Sequence, residues 1–418
     1  MRKSGPLKFI KPDRDAFLKL ADGLAVALAA SLPWSTSATS IFAILLLLAI
    51  TPTVDLSSFR QIILSAAGGV PLVLVALGVV GMFWADVVWA ERFNGISSFL
   101  KLIYIPIFFY QFSRSDRSVR ILIGFFASCV LLLIISWVLM VWPELPSNSV
   151  GVPVKDYISQ SAMFTICIFV IAQFAVDGWR RGRRRLALAL MALSLLFLAN
   201  IFYVATSRTS LVVIPVLLIA FGFRQFGWKG AIGLIVGFVA LIAVAWPSAD
   251  YLRERVDTFF AEVHSYHPDG QATSAGERIT FWTKSIGFIG SSPIIGHGTG
   301  SIHEQFKRSV VGKTGMAAEV AENPHNQILA VGIQLGLVGI TMLLAMWLAH
   351  LALFMRAGSF AAWIGLVFVI QNVVGSLFNS HLFDFTNGWL YVVGVGVAGG
   401  IVLKERAASV DRSSIRED

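Results

Sequence analysis

Long apolar runs separated by short polar segments cover most of this 418-residue chain. A helix needs about 20 apolar residues to cross a bilayer. The pattern predicts twelve transmembrane helices, at residues 21–37, 38–54, 62–84, 95–112, 120–142, 158–177, 186–205, 210–224, 230–248, 325–349, 359–379 and 386–403. The predicted units are helices one to nine in 1–248, a loop subdomain in 249–324, helices ten to twelve in 325–403, and a tail in 404–418.

The composition agrees with a membrane protein. Hydrophobic residues make up 56% of the chain and charged residues only 14%, and the mean hydropathy is +0.75. Soluble domains carry about 25% charged residues, so this charge cannot cover a soluble fold of this length. Cys129 and Cys167 lie in apolar runs, which favours neither a disulfide framework nor a metal site. We therefore expect an all-α, polytopic integral membrane protein without a cleavable signal peptide.

The distribution of positive charge predicts an orientation. The chain has 33 Lys and Arg residues against 24 Asp and Glu, a net charge of +9. An excess of this kind marks cytoplasmic loops in membrane proteins, so we do not interpret it as nucleic-acid binding. With both termini in the cytoplasm, 22 of the 33 fall in cytoplasmic segments and ten outside, seven of them in the loop of residues 249–324. Long loops are translocated largely regardless of charge, so this loop is predicted to lie outside.

The predicted outer loop has structure of its own. It opens with "YLRERVDTFFAEV", whose alternation of charged and apolar residues is typical of an amphipathic helix at a membrane interface. The stretch "AGERITFWTKSIGFIGSSPIIGHGTGSIHEQF" predicts one or two helices with a tight glycine-rich turn. Extramembrane connections of this length are usually functional.

Two arginines are candidate anion ligands at the outer face. Arg208 lies in "YVATSRTSL", a predicted turn whose hydroxyl side chains are suited to phosphate, and Arg278 lies in "GERITFW". The planar guanidinium matches phosphate oxygens in a bidentate manner. The structural alternatives are a snorkelling arginine at a helix end for Arg208 and a weak surface ion pair with Glu277 for Arg278.

A histidine at the predicted start of the tenth helix is a candidate base. In "ENPHNQ", Asn323 is predicted to be the N-cap and Pro324 to occupy the first turn, which places His325 at the helix N-terminus. The helix dipole disfavours the imidazolium there, and a neutral imidazole accepts a proton from a hydroxyl. The alternative is a histidine bonded to backbone carbonyls.

Taken together, these motifs resemble those of a known family. The "TSRT" turn, the "GERITFW" helix, the "PIIGHGTGS" turn and "NPHNQILAVGIQLGLVG" resemble the O-antigen ligase family, over roughly residues 190–350. The resemblance implies a fold similar to GT-C glycosyltransferases in the inner membrane of a Gram-negative bacterium. It implies transfer of a glycan from undecaprenyl diphosphate, at the periplasmic face, to a sugar hydroxyl of lipid A–core, without metal or cofactor. It also implies His325 as base and Arg208 and Arg278 as ligands of the donor diphosphate.

Seven further polar residues are weaker candidates for the site. They are Arg92, Lys101 inside the fourth span, Arg253, Arg255, Asn326, and the pair His381 and Asp384 in the last outer loop. The structural alternatives are an interface ion pair for Arg92, a snorkelling side chain for Lys101, and lipid-headgroup contacts for Arg253 and Arg255.

Two alternatives remain open from the sequence. An O-antigen or exopolysaccharide polymerase uses the same donor, and nothing in the motifs separates it from a ligase. A transporter or flippase of lipid-linked sugars is less favoured, because it predicts charges within the spans and paired broken helices. The expected partners are the lipid-linked donor, lipid A–core and membrane lipids, with no nucleic acid, and the expected state is a monomer.

Overall fold

The protein is helical throughout the part of the chain that the computed structural model describes, residues 13–267, 270 and 272–417. A single bridge joins Ser149 and Val152, and no strand occurs in these residues. The helices are α1 Arg14–Ser31, α2 Thr36–Ile50, α3 Leu56–Leu64, α4 Ala66–Gly81, α5 Trp89–Leu100, α6 Tyr104–Phe112, α7 Ser118–Val141, α8 Tyr157–Arg180, α9 Arg184–Tyr203, α10 Arg208–Ala245, α11 Asp250–His264, α12 Ser274–Ser291, α13 Ile302–Ser309, α14 Gln327–Met355, α15 Phe360–Gly375 and α16 Phe385–Glu417.

Every predicted span contains helix, which confirms an all-α, polytopic membrane protein. Within the described residues, eight helical stretches are long and apolar enough to cross a membrane. The bent pair α3–α4, which turns by 81°, raises the count to nine. The predicted number was twelve. Three helices explain the difference between nine and twelve. Helix α15 is only 16 residues long, α1 carries four charged residues, and α10 contains two predicted spans.

The helix α10 doubles back on itself at Gly227. This residue has φ 70° and ψ −167°, which is not helical and which glycine adopts at little cost. A Cβ on Gly222 would lie 2.4 Å from the Cα of Ala231, whereas nine residues of straight helix span about 13 Å. The two arms, 208–226 and 228–245, therefore pack side by side, and they correspond to predicted spans eight and nine.

The helix α14 also breaks at a glycine. Gly336 has φ 59° and ψ −155°, and such a break leaves backbone groups without their helical partners. The glycine-rich turn of residues 293–300 supplies these partners. The N–H groups of His297 and Gly298 donate to the carbonyls of Ile333 and Gln334 at 2.8 and 2.9 Å, and the N–H of Leu337 donates to the carbonyl of Pro293 at 2.8 Å. The "PIIGHGTGS" motif thus completes the broken helix.

The ends of the helices sort into two groups. At one end, Arg180 donates to the carbonyl of Gln225, Arg224 to that of Gly358, and Lys404 to that of Ser115. These are segments predicted to be cytoplasmic. The segments predicted to be external meet at the opposite end, called here the site end, where Thr299 bonds the last turn of α4 and Gln327 bonds the carbonyl of Ser376. Which compartment each end faces stays a prediction.

Two hydrophobic cores follow from this arrangement. A large cluster of buried residues runs through the helix bundle. A separate small cluster of Phe281, Phe306, Ala321 and Ile333 joins α12 and α13 to the first arm of α14. This small core fixes the predicted outer loop onto the bundle at the site end.

Candidate active site

His325 lies before α14 and not inside it, which corrects the predicted cap. The helix begins at Gln327, and Asn326 is its N-cap, since the Asn326 side chain accepts from the N–H groups of Ile328 and Leu329. His325 has φ 53°, a left-handed conformation that cannot continue into a helix. Asn323 holds this turn: its Oδ1 accepts from the N–H of His325 at 2.8 Å and from the hydroxyl of Ser380 at 2.6 Å.

The hydrogen bonds fix the tautomer of the His325 ring. Asn379 Oδ1 accepts from the N–H of Ser380 at 2.9 Å, so this atom is an oxygen and not the amide nitrogen. His325 Nδ1 lies 3.1 Å from the same oxygen and must therefore donate to it. A neutral ring with its hydrogen on Nδ1 carries its lone pair on Nε2. Nε2 is thus the basic atom of this histidine.

The surroundings of His325 favour the neutral ring. Burial lowers its pKa below the usual 6.5, the bond to Asn379 raises it, and the positive charge of Arg278 lowers it further. The ring also stacks on Phe281 of α12, with centroids 6.3 Å apart and planes 18° apart. A neutral, oriented imidazole is the form that a general base requires.

His325 lines a cavity of about 420 Å³, called here the histidine cavity. This volume lies within the range of roughly 300–1,000 Å³ that small-molecule sites occupy. Its walls come from α5, the first arm of α14, and the loops before α13, α14 and α16. The lining residues include Glu91, Asn94, Ser98, His303, Glu322, Asn323, Gln334, Asn379 and Asp384. Amide and carboxylate groups dominate this surface.

A second site, the arginine cleft, is built from the first turns of three helices. Tyr157 and Ile158 begin α8, Arg208 and Thr209 begin α10, and Ser274 and Arg278 lie near the start of α12; all line the cleft with Thr206, Ser207 and Arg255. The N-terminus of a helix presents free N–H groups and the positive end of its dipole. Asp156, Ser207 and Thr273 cap part of these N–H groups, and the helix dipoles and guanidinium groups give the cleft a positive charge suited to an anion.

A carboxylate beside the arginine cleft pairs with one of its arginines. Glu262 Oε2 of α11 lies 3.4 Å from Arg208 Nη1 and accepts from the N–H of Ala275, at the start of α12, at 3.0 Å. Burial lowers the pKa of Arg278, and the nearby Arg208 lowers it further. The open volume is about 20 Å³, room for one or two water molecules. A larger anion must therefore displace Glu262 or lie at the mouth of the cleft.

Two of the weaker candidates line one of these two sites, and a third, Asn326, is the chain neighbour of His325. Arg255 lines the arginine cleft, with its guanidinium 5.0 Å from the ring centroid of Tyr157. Asp384 lines the histidine cavity, and its Oδ1 accepts from the N–H of Asn387 at 2.7 Å. Asn326 caps α14 and also donates to the carbonyl of Leu377 at 3.0 Å, which positions the neighbouring His325.

The other four weaker candidates lie outside both sites. Arg92 donates to the carbonyls of Val87 and Met82 at 2.9 and 2.8 Å, and Arg253 pairs with Asp250 on its own helix. Lys101 donates to the carbonyls of Phe383 and Asp384. His381 is buried, and burial lowers its pKa to about 4, against the opposing charges of Asp384 and Asp156.

Sequence reasoning missed several residues that build the two sites. Asn379 fixes the tautomer of His325, Phe281 stacks on it, and Glu262 pairs with Arg208 beside the arginine cleft. Asn379 belongs to "NSHLFDF", in which only His381 and Asp384 were expected to be functional. No local signal identifies these partners, because each contact joins segments far apart in the chain.

Comparison with known proteins finds a family match for residues 193–344. The matching family model is described as O-antigen ligase. No curated protein matches the chain at a significant level. In the described residues, no group of three or more His, Cys, Asp or Glu side chains is placed to hold a metal ion. The matched region contains Arg208, Arg278 and His325, and the expected family is confirmed. The family implies a membrane enzyme that transfers glycosyl groups from lipid-linked glycans, of the ligase or polymerase kind. The chain carries a domain of the O-antigen ligase family.

Proposed function

We propose that this protein is an O-antigen ligase, which transfers a glycan from undecaprenyl diphosphate to a sugar hydroxyl of lipid A–core at the periplasmic face of the inner membrane. The observation that carries the proposal is the His325 ring, whose Nδ1 donates to Asn379 and whose Nε2 is left as a base. This base lines a cavity of the size of a sugar-binding site.

In the proposed reaction, the acceptor hydroxyl lies in the histidine cavity and gives its proton to Nε2 of His325. The hydroxyl oxygen attacks the anomeric carbon of the donor sugar as the bond from that carbon to the diphosphate oxygen breaks. Undecaprenyl diphosphate leaves with the bonding electrons. A base placed in this way contributes about 10²–10⁴-fold to a rate.

Arg208 and Arg278 are proposed to hold the diphosphate. Positive groups aimed at a developing negative charge lower the barrier most where water is excluded, and burial around Arg278 meets that condition. The position of α12 supports a link between the two sites. Arg278 lines the arginine cleft, and Phe281, one turn further along the helix, stacks on His325.

The test is reconstitution of the purified protein in liposomes with an undecaprenyl diphosphate-linked glycan and either lipid A–core or a second donor molecule. Glycan attached to lipid A–core supports a ligase, and a lengthened lipid-linked glycan supports a polymerase. We expect His325→Asn to abolish transfer, because asparagine tolerates the left-handed backbone but does not accept a proton at neutral pH. Full transfer by a folded His325→Asn variant would contradict the assignment of the base.

A further inference from the structure

We infer that the histidine cavity selects an acceptor sugar that is neutral or carries an amino group, and excludes sugars with carboxylate or phosphate groups at the reacting residue. This inference rests on the proposed function, since it names the class of acceptor that His325 would deprotonate. It is carried by the charge of the cavity wall, which is independent of the identity of the base.

The ionisable groups of the cavity wall are acidic or histidine. Glu91, Glu322 and Asp384 line the cavity with His303 and His325, and within the described residues no lysine or arginine lines it. An acceptor with its own negative charge would meet these carboxylates, and no lysine or arginine of the described cavity wall could pair with it. Like charges brought together in a partly desolvated site are repelled strongly.

The three carboxylates are not equally available to a ligand. Asp384 caps α16 by accepting from Asn387. Its charge is offset by Lys155: burial lowers the pKa of Lys155, and the nearby Asp384 raises it. Glu322 lies 2.8 Å from Nδ1 of His303. Glu91 is half-exposed, and its carboxylate has no hydrogen bond or ion pair to another described residue. Glu91 is therefore the main candidate for contact with the acceptor.

The position of Glu91 is fixed by close backbone packing. A Cβ on Gly300 would lie 2.2 Å from the carbonyl oxygen of Glu91, and a Cβ on Gly95 would lie 2.5 Å from the N of Gly300. These contacts dock the first turns of α5 against the glycine-rich turn. The backbone of Glu91 is thus fixed at the cavity wall, and its side chain lines the cavity.

The amide groups of the cavity suit the hydroxyls of a neutral sugar. Asn94, Asn323 and Gln334 line the wall, and Gln334 is held in place because its Oε1 accepts from the N–H of Gly300 at 2.8 Å. Its Nε2 donates to the carbonyl of Ala330 at 3.0 Å. Asn94 is exposed and has both donor and acceptor atoms for sugar hydroxyls.

The experiment compares three octyl glycosides of different charge: octyl glucoside is neutral, octyl glucosaminide has an amino group in place of the 2-hydroxyl, and octyl glucuronide has a carboxylate in place of the 6-hydroxymethyl group. Binding to the full-length protein in nanodiscs is measured by saturation-transfer NMR, below the concentration at which the probes form micelles. We expect the glucoside and the glucosaminide to bind and the glucuronide to bind at least tenfold more weakly. Equal binding of all three probes would overturn the inference.

Substitutions at Glu91 test whether the cavity causes the difference in binding between the glucoside and the glucuronide. We expect Glu91→Gln to narrow the difference between glucoside and glucuronide severalfold, and Glu91→Lys to favour the glucuronide. Asp86→Asn is the matched control, because it removes a carboxylate at the same end that pairs with Arg308 and does not line the cavity. Unchanged preference in both Glu91 variants would contradict the inference.

The same binding measurement in His325→Asn separates this inference from the proposed function. If that variant keeps transfer activity, the assignment of the base is wrong, regardless of how strongly each of the three probes binds. If it loses transfer but the glucuronide still binds as well as the glucoside, the acceptor class fails and the base stands.

Discussion

Helix α12 links the arginine cleft and the histidine cavity, because Arg278 lines the cleft and Phe281 stacks on His325, but the two sites differ in charge, size and construction. The cleft is basic, has an open volume of about 20 Å³ and is built from the first turns of three helices. The cavity is acidic, has a volume of about 420 Å³ and is built mainly from loops and the wall of α5. Helix N-termini and arginines attract an anion, whereas amides and carboxylates suit a polyol. In the proposed reaction, this difference would separate the charged donor diphosphate from the acceptor sugar.

After the loss of His325, the largest expected effect is the loss of Arg278. Arg278→Ala removes a guanidinium that, within the described residues, has no acidic side chain within 4.0 Å, so no internal ion pair is broken. Removing one group that stabilises developing charge costs about 10²–10³-fold in rate, and we expect a loss of this size in transfer. The measurement is the dependence of rate on donor and acceptor concentration in liposomes. Arg278→Lys is the control, because it keeps the charge and loses the bidentate geometry. An effect confined to the acceptor dependence would refute a role in the cleft.

The free energy of unfolding should fall at acidic pH because of the buried residue His381. Its pKa is about 4 in the folded protein against 6.5 for a free histidine, so below pH 6.5 the unfolded chain binds a proton that the folded chain does not. The stabilisation is complete above pH 6.5 and is lost as the pH falls toward 4. It amounts to on the order of 3 kcal/mol, since each pKa unit corresponds to about 1.4 kcal/mol.

The measurement is thermal unfolding in detergent between pH 7 and 4 for the wild type and His381→Asn. The variant lacks the titrating group, so its unfolding temperature should fall less with acid. Identical pH dependence of the two proteins would show that His381 does not titrate in this manner. Asp384 and Asp156 face the same residue, and both proteins retain them.

Loss of the hydrogen bond between His325 Nδ1 and Asn379 should lower the transfer rate about ten- to a hundredfold. Loss of the group that orients a metal-bound histidine has an effect of this size. Asn379→Ala removes the acceptor for Nδ1–H and frees the ring to adopt the other tautomer. Asn379→Asp keeps the acceptor and adds a negative charge, which raises the pKa of His325. We expect the aspartate variant to recover activity with its acid limb moved to higher pH. A purely structural role would give both variants the pH profile of the wild type.

The smallest effect should come from Glu262, the carboxylate beside the basic cleft. Glu262→Gln removes its charge, while the amide oxygen still accepts from the N–H of Ala275. Because a weak ion pair contributes below about 1 kcal/mol, we expect donor affinity to rise about threefold. Glu254→Gln on the same helix is the control. Weaker donor binding in Glu262→Gln would mean that Glu262 positions Arg208 and does not compete with the donor.

The sequence was sufficient for the all-helical architecture because helix formation in an apolar segment depends on local signals. Apolar length predicts helices, and the hydroxyl-rich "TSRT" turn starts α10 where expected, with Ser207 as its cap. The break at Gly336 was missed, because a glycine within an apolar run has the same pattern whether the helix continues or bends. The bend requires the turn of residues 293–300, some 40 residues away, to satisfy the freed backbone.

The start of α14 was predicted incorrectly for a related reason. Asn323, Pro324 and Asn326 all suit a helix N-terminus, and local preference selected the first asparagine. In the structure Asn323 bonds Ser380 across the site, so the cap passes to Asn326. A contact between distant segments decided between two equivalent local signals, and no single-sequence pattern contains that contact.

The left-handed backbone of His325 has a consequence for how substitutions at this position would be selected. A φ of 53° costs most side chains roughly 1 kcal/mol or more relative to glycine. Replacement by glycine or asparagine should therefore leave the protein as abundant in the membrane as the wild type, or more so. A mutational scan scored by expression would rank these substitutions as beneficial, and the same scan scored by glycan transfer would rank them among the most harmful. At position 325, stability therefore favours glycine or asparagine, whereas glycan transfer requires histidine.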